Sequence, residues 1–411
     1  MYHADMTTFP PDHGEAAPGS ARGGSARGQH AAAFDLGRHP YFEAWTDPGS
    51  GVVSYLLRER VAPVQQSFYF TNPSVCPDER WLWLYCAFPP NPVRTLAVVS
   101  LDPDRPLMRH FPAAGFDAAS PMVAPGGETP GCYFTQGRHV YFQPVEGGEP
   151  RIICSLNERY IAGRRLARLA THLTVSADGH HFLLDGEVGN HWFVGIGDRR
   201  TGEVTIIKEF ANNHNHAQFA PHDPGLFPIA HDHTHDPITG RRLHFDIRLW
   251  LMDTADTRYE PLTPHHYCKP YTGLAHEWWL PDGRIAYVDY QRGVYTVDPA
   301  SCQHTHIWPR PLCHAHCNGE MTLYCADESP YKWAEKPCEV LLFEPATGRQ
   351  WQLVSAMPPP AIERGTYHID PHPQFSPGGT WVTYTTTMGD GTADVALCPV
   401  DAARYQPPVS P

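Results

Sequence analysis

Apolar and polar positions alternate along most of the chain in short runs that end on turn residues. The stretch LAHEWWLPDG, 274–283, shows the grammar: an apolar run meets a Pro-Asp-Gly turn, and His276 stands six residues before Asp282. The frame recurs, with His172 six before Asp178, His216 six before His222 and His372 six before Gly378. TNPSVCPDE and ASPMVAPGG keep the spacing with Asn72 and Ser120 in the histidine's place. CHAHCNGE is a shorter copy, with His314 four before Asn318. An alternating run bounded by Gly, Pro, Asn or Asp reads as a half-buried strand entering a turn.

A second apolar strand follows each turn, at 80–88, 132–142, 180–189, 225–232, 284–290, 320–328 and 380–387. A third strand and an acidic or glycine turn come next, as in IGDRRTGE and FEPATGR, and then a fourth strand such as EVTIIKEF or RQWQLVS. The unit repeats every 35 to 60 residues or so, about the size of a four-stranded propeller blade. Seven copies predict an all-β chain folded as a seven-bladed β-propeller over residues 39–411, with two β-sandwiches as the alternative. The last unit, ending VALCPVDAARY, lacks a fourth strand, and TDPGSGVVSYLLRE near the N-terminus offers one outer strand without a blade. Pairing the two closes the ring and removes the open sheet edges. Residues 1–38, rich in Gly, Ala, Ser, Pro and Arg, are expected to be a disordered leader. Two insertions stand out: 155–171, predicted to hold a short basic helix, and 231–250, longer than a plain hairpin.

Composition narrows the function classes. The 43 prolines and 34 glycines suit many short strands. A net charge of −13 argues against a nucleic-acid partner, which needs a basic stripe, yet a local cationic pocket can still take an acidic sugar. No apolar stretch reaches the roughly 18 residues of a membrane span, and no secretory signal is visible. With 11 cysteines and no disulfide-like spacing, reduced thiols and a cytoplasmic location are expected. Oligomeric state stays open.

The chemistry lies in the 26 histidines. The innermost strand of a propeller blade lines the central channel, so residues entering that strand in equivalent places gather at one mouth. The frame therefore brings His172, His216, His276 and His372 together, with His314 close by; for any one of them alone, a strand-capping role is the alternative. CHAHC supplies Cys313, His314, His316 and Cys317, and YHIDPHP supplies His368, Asp370 and His372. Alternate residues on a strand share a face, so these are candidate metal ligands: imidazole with thiolate favours zinc, and imidazole with carboxylate also accepts manganese. In HDHTHD, His231, His233 and His235 share a face if extended, as a metal site or a substrate-facing loop. Arg248 sits among apolar residues and meets either an anionic ligand or a neighbouring carboxylate, Asp246 or Asp253.

With these stretches assembled, the chain resembles the oligogalacturonate lyases, seven-bladed propellers that cleave uronate oligomers. The likeness rests on His276–Gly283, Arg248–Leu251, Cys313–His314 and Asp370–Pro377. It implies that His276 is the base that removes the proton α to the uronate carboxylate, that Arg248 engages that carboxylate, and that His314 and His372 hold a divalent metal. Asp370 and Tyr367 stand where the family has a histidine and a glutamine. The chain is also similar to propeller ulvan lyases and rhamnose–glucuronate-cleaving propellers. That kinship implies a catalytic pair, His172 and His191, with Arg248, and a structural zinc on His276, Cys317 and His372. Both imply an acidic oligosaccharide substrate, with His216, His231 and His235 expected to face it. A sugar hydrolase and a non-catalytic binding propeller are the alternatives.

Overall fold

The computed structural model describes residues 34–401 apart from 237, 244–246, 263–272, 330–335, 362–363 and 389–390. Seven antiparallel sheets of four or five strands succeed one another along the chain, forming a seven-bladed β-propeller. Blade one runs, in sheet order, through Val64–Gln66, Trp81–Ala87, Arg94–Ser100 and Met108–Phe116. Blade five runs through Leu274–Trp279, Ile285–Asp289, Gly293–Val297 and His304–Trp308. Blades two, three, four and six begin at Met122–Val123, Thr174–Val175, His214–Asn215 and Ala315–Cys317.

Blade seven closes the ring as the chain ends anticipate. Its strands Gln374–Phe375, Trp381–Thr386 and Asp394–Pro399 are followed in the sheet by Val53–Leu57 from the N-terminal region, with Tyr55 opposite Leu397 and Leu56 opposite Ala396. The N-terminal contribution is two strands where one was expected. Phe42–Thr46 pairs with Val53–Leu57 as a hairpin, and Asp47 accepts the Gly49 and Ser50 amides at 3.0 and 2.7 Å to fix its turn.

Among the described residues, seven apolar clusters form a ring, one between each pair of neighbouring blades, and a small eighth joins Val64 and Ala87 of blade one to Tyr367, Ile369 and Ala393. Phe68, Trp83 and Phe134 sit between blades one and two, and Leu57, Leu84 and Val395 between seven and one. Leu341 and Phe343 of blade six pack on Trp278 and Trp308 of blade five. Each blade thus has two apolar faces, which is why the second strands read as nearly unbroken hydrophobic runs.

The repeated turn has one hydrogen-bonded form in blades one, three and seven. The amides of Cys76, Ser176 and Ser376 donate to the carbonyls of Trp81, His181 and Trp381, each at 2.9 Å. Gly179 and Gly379 take φ +75° and +73° in this turn, the left-handed conformation that favours glycine.

Three details add to or amend the expectations. The apolar run 132–142 is two strands, Gly131–Gln136 and His139–Pro144, because Gly137 turns the chain at φ +55°. Residues 1–33 of the expected leader lie outside the described residues, but Leu36–Arg38 forms a 3-10 turn and Leu36 is buried in the core, so order begins before residue 39. The insertion at 155–171 holds a helix of one turn, Glu158–Ile161, and also a short strand, Leu166–Arg168, that joins blade three. No described helix is long and apolar enough to cross a membrane.

Candidate active site

A cavity of about 640 Å³ is lined by residues of blades one, three, four, five and seven. The phased histidines converge on it. Tyr69, from the segment after the first strand of blade one, packs against all five and against His368: its ring stacks on His172 at 4.6 Å and lies 4.9–6.4 Å from the rings of His216, His276, His314, His368 and His372. Asn72 anchors that segment by donating to the carbonyl of Pro121 at 2.9 Å.

Local backbone conformation explains how one spacing delivers these side chains. His216, His276, His368 and His372 have φ of 57°, 53°, 50° and 45°. A non-glycine residue in the left-handed region costs on the order of 1–3 kcal/mol, and such residues cluster at functional sites. His276 sits at a register shift between Ala275 and Trp278, so its side chain leaves the strand's alternation and turns toward the cavity.

Burial sets the charge state of the ring. His216 is held down to about 3 by burial and then by the Arg248 charge. His172 and His276 are lowered well below the usual imidazole value by burial, and then by His216 and His314 respectively. His172 Nε2 and His216 Nδ1 are 3.1 Å apart, so these neutral imidazoles share one hydrogen bond. His276 Nδ1 donates to the carbonyl of Cys313. A carbonyl only accepts, so the Nδ1 of His276 carries the proton and Nε2 presents its lone pair, 3.5 Å from the Tyr290 hydroxyl.

Four side chains on the blade six and seven side form a ligand set. His314, His368, Asp370 and His372 each offer a donor atom, all within 4.8 Å of one another. Nε2 of His372 is buried with no hydrogen-bond partner, an orphan that a metal would satisfy. Asp327 braces the set: it lies 3.0 Å from His314 Nδ1 and accepts the His372 amide at 3.1 Å. A carboxylate behind a ligating imidazole is the usual outer partner of a metal site. Burial disfavours the charge on His314, but Asp327 and Cys313 outweigh it and raise its pKa well above normal. Three imidazoles and a carboxylate suit zinc or manganese. A second, overlapping group is His276, Cys313 and His314.

Arg248 is held between two carboxylates. Its Nη1 lies 2.7 Å from Asp232, and its Nε and Nη2 lie 3.3 and 3.2 Å from the two oxygens of fully buried Glu277. Burial opposes charge on Asp232, but the Arg248 charge holds its carboxyl far below the usual range. Of the partners named from the sequence, Asp246 lies outside the described residues and Asp253 instead bonds the Thr257 amide at 2.8 Å.

The architecture has known counterparts. The chain is similar to oligogalacturonate lyases. It is 25% identical to the oligogalacturonate lyase of Dickeya dadantii over 227 residues, 51% of this chain and 55% of that protein. The matched part thus spans about half the length of that curated relative. A solved oligogalacturonate lyase in complex with manganese superposes with a TM-score of 0.71 at 18% identity, covering 88% of this chain and 97% of the other. The oligogalacturonate lyase of Vibrio parahaemolyticus superposes with a TM-score of 0.69 at 17% identity, covering 87% and 96%. No family model matches the chain.

Set beside the lyase-like reading of the sequence, some candidates gather and others do not. His172, His216, His231, His276, His368, His372 and Arg248 line the cavity, and buried His314 lies behind them, its ring 4.1 Å from that of His276. His191 does not join: it is exposed and opens the third strand of blade three, two strands out from the inner one at roughly 4.8 Å per strand. His235 is exposed on an accessory hairpin, Thr234–His235 with Arg242–Leu243, because residues 232 and 233 leave the strand and break the expected shared face. Cys317 is buried in the core between blades five and six, its thiol pushed up to about 12 by burial, and it is absent from both ligand groups. The thiol beside His276 and His314 is Cys313. His316 also turns away, accepting the Phe375 amide at 3.1 Å. Sequence reasoning passed over Tyr69, Asp232, Glu277, Asp327 and Tyr290. Glu277, adjoining His276, was the most accessible of these; the others owe their roles to contacts across strands or between blades that spacing along the chain does not show.

Proposed function

We propose that this chain is a lyase that cleaves short uronate-containing oligosaccharides, oligogalacturonate first among them, by β-elimination. The observation that carries the reading is His276: a neutral imidazole with its basic nitrogen turned into a cavity that also holds a metal-ligand set. The names of the similar proteins point to the same chemistry.

In β-elimination the proton at C5 of the uronate leaves, a C4–C5 double bond forms, and the C4–O4 bond breaks. The abstracted proton goes to a base, and the departing O4 takes a proton from an acid or water. His276 is positioned as the base, and its Nδ1–H bond to Cys313 keeps Nε2 available. Its lowered pKa keeps it unprotonated at neutral pH. Tyr290 lines the same cavity, and its hydroxyl is the candidate proton source for O4. Arg248 acts first as the cation that fixes Asp232 and Glu277. His314, His368, Asp370 and His372 would hold a divalent ion, manganese or zinc, whose charge would offset that of the substrate carboxylate and make C5–H more acidic. The cavity's volume suits a short oligomer, since ligand pockets of roughly 300–1,000 Å³ accommodate small molecules.

The second reading, an ulvan-type or rhamnosyl-glucuronate enzyme built on paired histidines, is favoured by the His172–His216 contact, with His216 in place of His191. One assay separates the two. Ultraviolet absorbance of unsaturated product is followed on oligogalacturonate, ulvan and rhamnosyl-glucuronate fragments, with and without chelator, for the wild type and His276→Ala. Product from oligogalacturonate, lost with chelator and in the variant, supports the first reading. Product only from the other substrates supports the second. No unsaturated product from any of them overturns the lyase assignment.

A further inference from the structure

Three arginines line the cavity, and they differ in what neutralises them. Arg248 is enclosed by Asp232 and Glu277. Arg242, on the exposed accessory hairpin, donates to His233 Nδ1 at 2.9 Å. Arg94 opens the third strand of blade one, and its guanidinium meets no carboxylate among the described residues. Its Nη2 donates to the carbonyl of Ala118, a residue itself held at φ 53°. Its Cζ lies 5.2 Å from the centroid of the Tyr85 ring and 5.0 Å from that of Phe116. Two aromatic faces and one carbonyl thus hold the side chain in place. The remaining N–H donors have no protein partner among the described residues.

A partly buried cation without an anion is costly unless a ligand supplies one. Two aromatic faces attract a cation and orient the group without satisfying its hydrogen bonds. Arg94 lines the same cavity as His368 and His372 of the metal-ligand set. Gln66 and Ser67 line the wall on the same blade.

We propose that Arg94 is the carboxylate-binding residue of a second sugar subsite, holding the uronate next to the one that is cleaved. The inference rests on the lyase reading for the identity of the sugar. It narrows the substrate to oligomers with free carboxylates on two neighbouring residues, because the planar guanidinium pairs a carboxylate through two parallel N–H bonds and gains nothing comparable from an ester.

The test is a binding titration on protein carrying His276→Ala, to suppress turnover, with and without Arg94→Met or Arg94→Lys. The probes are digalacturonate, its dimethyl ester and monomeric galacturonate. Arg94→Met is expected to weaken digalacturonate binding about tenfold or more, the worth of a charge-assisted hydrogen bond, and to leave the ester unchanged. Arg94→Lys keeps the charge and is expected to recover part of the loss. Equal weakening for ester and acid, or no weakening at all, overturns the subsite. Thermal melting of each variant excludes a folding defect, and Arg94→Lys serves alone if Arg94→Met fails to fold. The two readings fail separately. Arg94-dependent binding of digalacturonate by a wild type that forms no unsaturated product removes the lyase and keeps the subsite. Unsaturated product with kcat/KM unaffected by Arg94→Met does the reverse.

Discussion

Replacing Arg248 with methionine tests whether this side chain is first a structural cation. Its guanidinium is 12% exposed and contacts Asp232 at 2.7 Å and Glu277 at 3.2 Å; Glu277 is fully buried. The cluster carries one positive and two negative charges. Arg248→Met therefore strands two carboxylates, one of them without solvent. Breaking a buried pair from one side typically costs 3–5 kcal/mol. For the roughly 350 described residues, an unfolding entropy of about 2.1 cal/mol/K per residue converts this to a fall in melting temperature of about 4–7 °C. Glu277→Gln should cost less, because Arg248 and Asp232 remain as a neutral pair. The double variant Arg248→Met with Glu277→Met should recover part of the loss, since it removes the buried anion with the cation. The sign of the pH dependence follows from Asp232, whose pKa is held down by Arg248. Without Arg248 that anion is no longer favoured, so the variant should be hurt more at pH 8 than at pH 5. Melting of the four proteins at both pH values decides the matter. An Arg248→Met protein that melts within about 1 °C of wild type, or a double variant no better than the single, would refute the account.

Other expectations follow from separate parts of the molecule. Asp327→Asn removes the charge behind His314 and should weaken manganese or zinc binding about 10- to 100-fold, read by calorimetric titration; unchanged affinity would detach Asp327 from the ligand set. His214 and His231 stack at 4.4 Å with both pKa values lowered by burial to about 4, so the unfolded chain takes up their protons first as pH falls. Their stabilisation is complete above pH 6.5 and declines toward pH 4 by about 1.4 kcal/mol per pH unit for each histidine. His214→Gln should flatten urea-midpoint profiles across that window, and an unchanged slope would count against it. Leu56, buried on the closing strand, packs in the cluster between blades six and seven, so Leu56→Ala should cost about 2–5 kcal/mol in urea unfolding, whereas a loss below 1 kcal/mol would mean the closing strand adds little.

The fold was legible in the sequence because its signal is local and repeated. A strand, a Pro-Asp-Gly or Ser-x-x-Gly turn and a second apolar strand recur in phase, and the turn's hydrogen bonds join residues only a few positions apart. Seven such units and a chain end one strand short imply closure, and His172, His216, His276, His314 and His372 fall at one mouth because each stands in or beside the innermost strand of its blade. What meets across strands and between blades was not legible. Glu277 and Asp232 meet Arg248 from different parts of the chain, Asp327 reaches His314 and the His372 amide, and Tyr69 touches histidines separated by 200 residues of sequence (His172 to His372). Spacing along one strand also misled, placing His316 and His235 at the site on alternation, whereas His316 accepts the Phe375 amide and the strand before His235 is broken. Periodicity sets which residues share a face within an element. Which faces meet, and which carboxylate neutralises which cation, is decided only when the blades pack and water leaves the contacts between them.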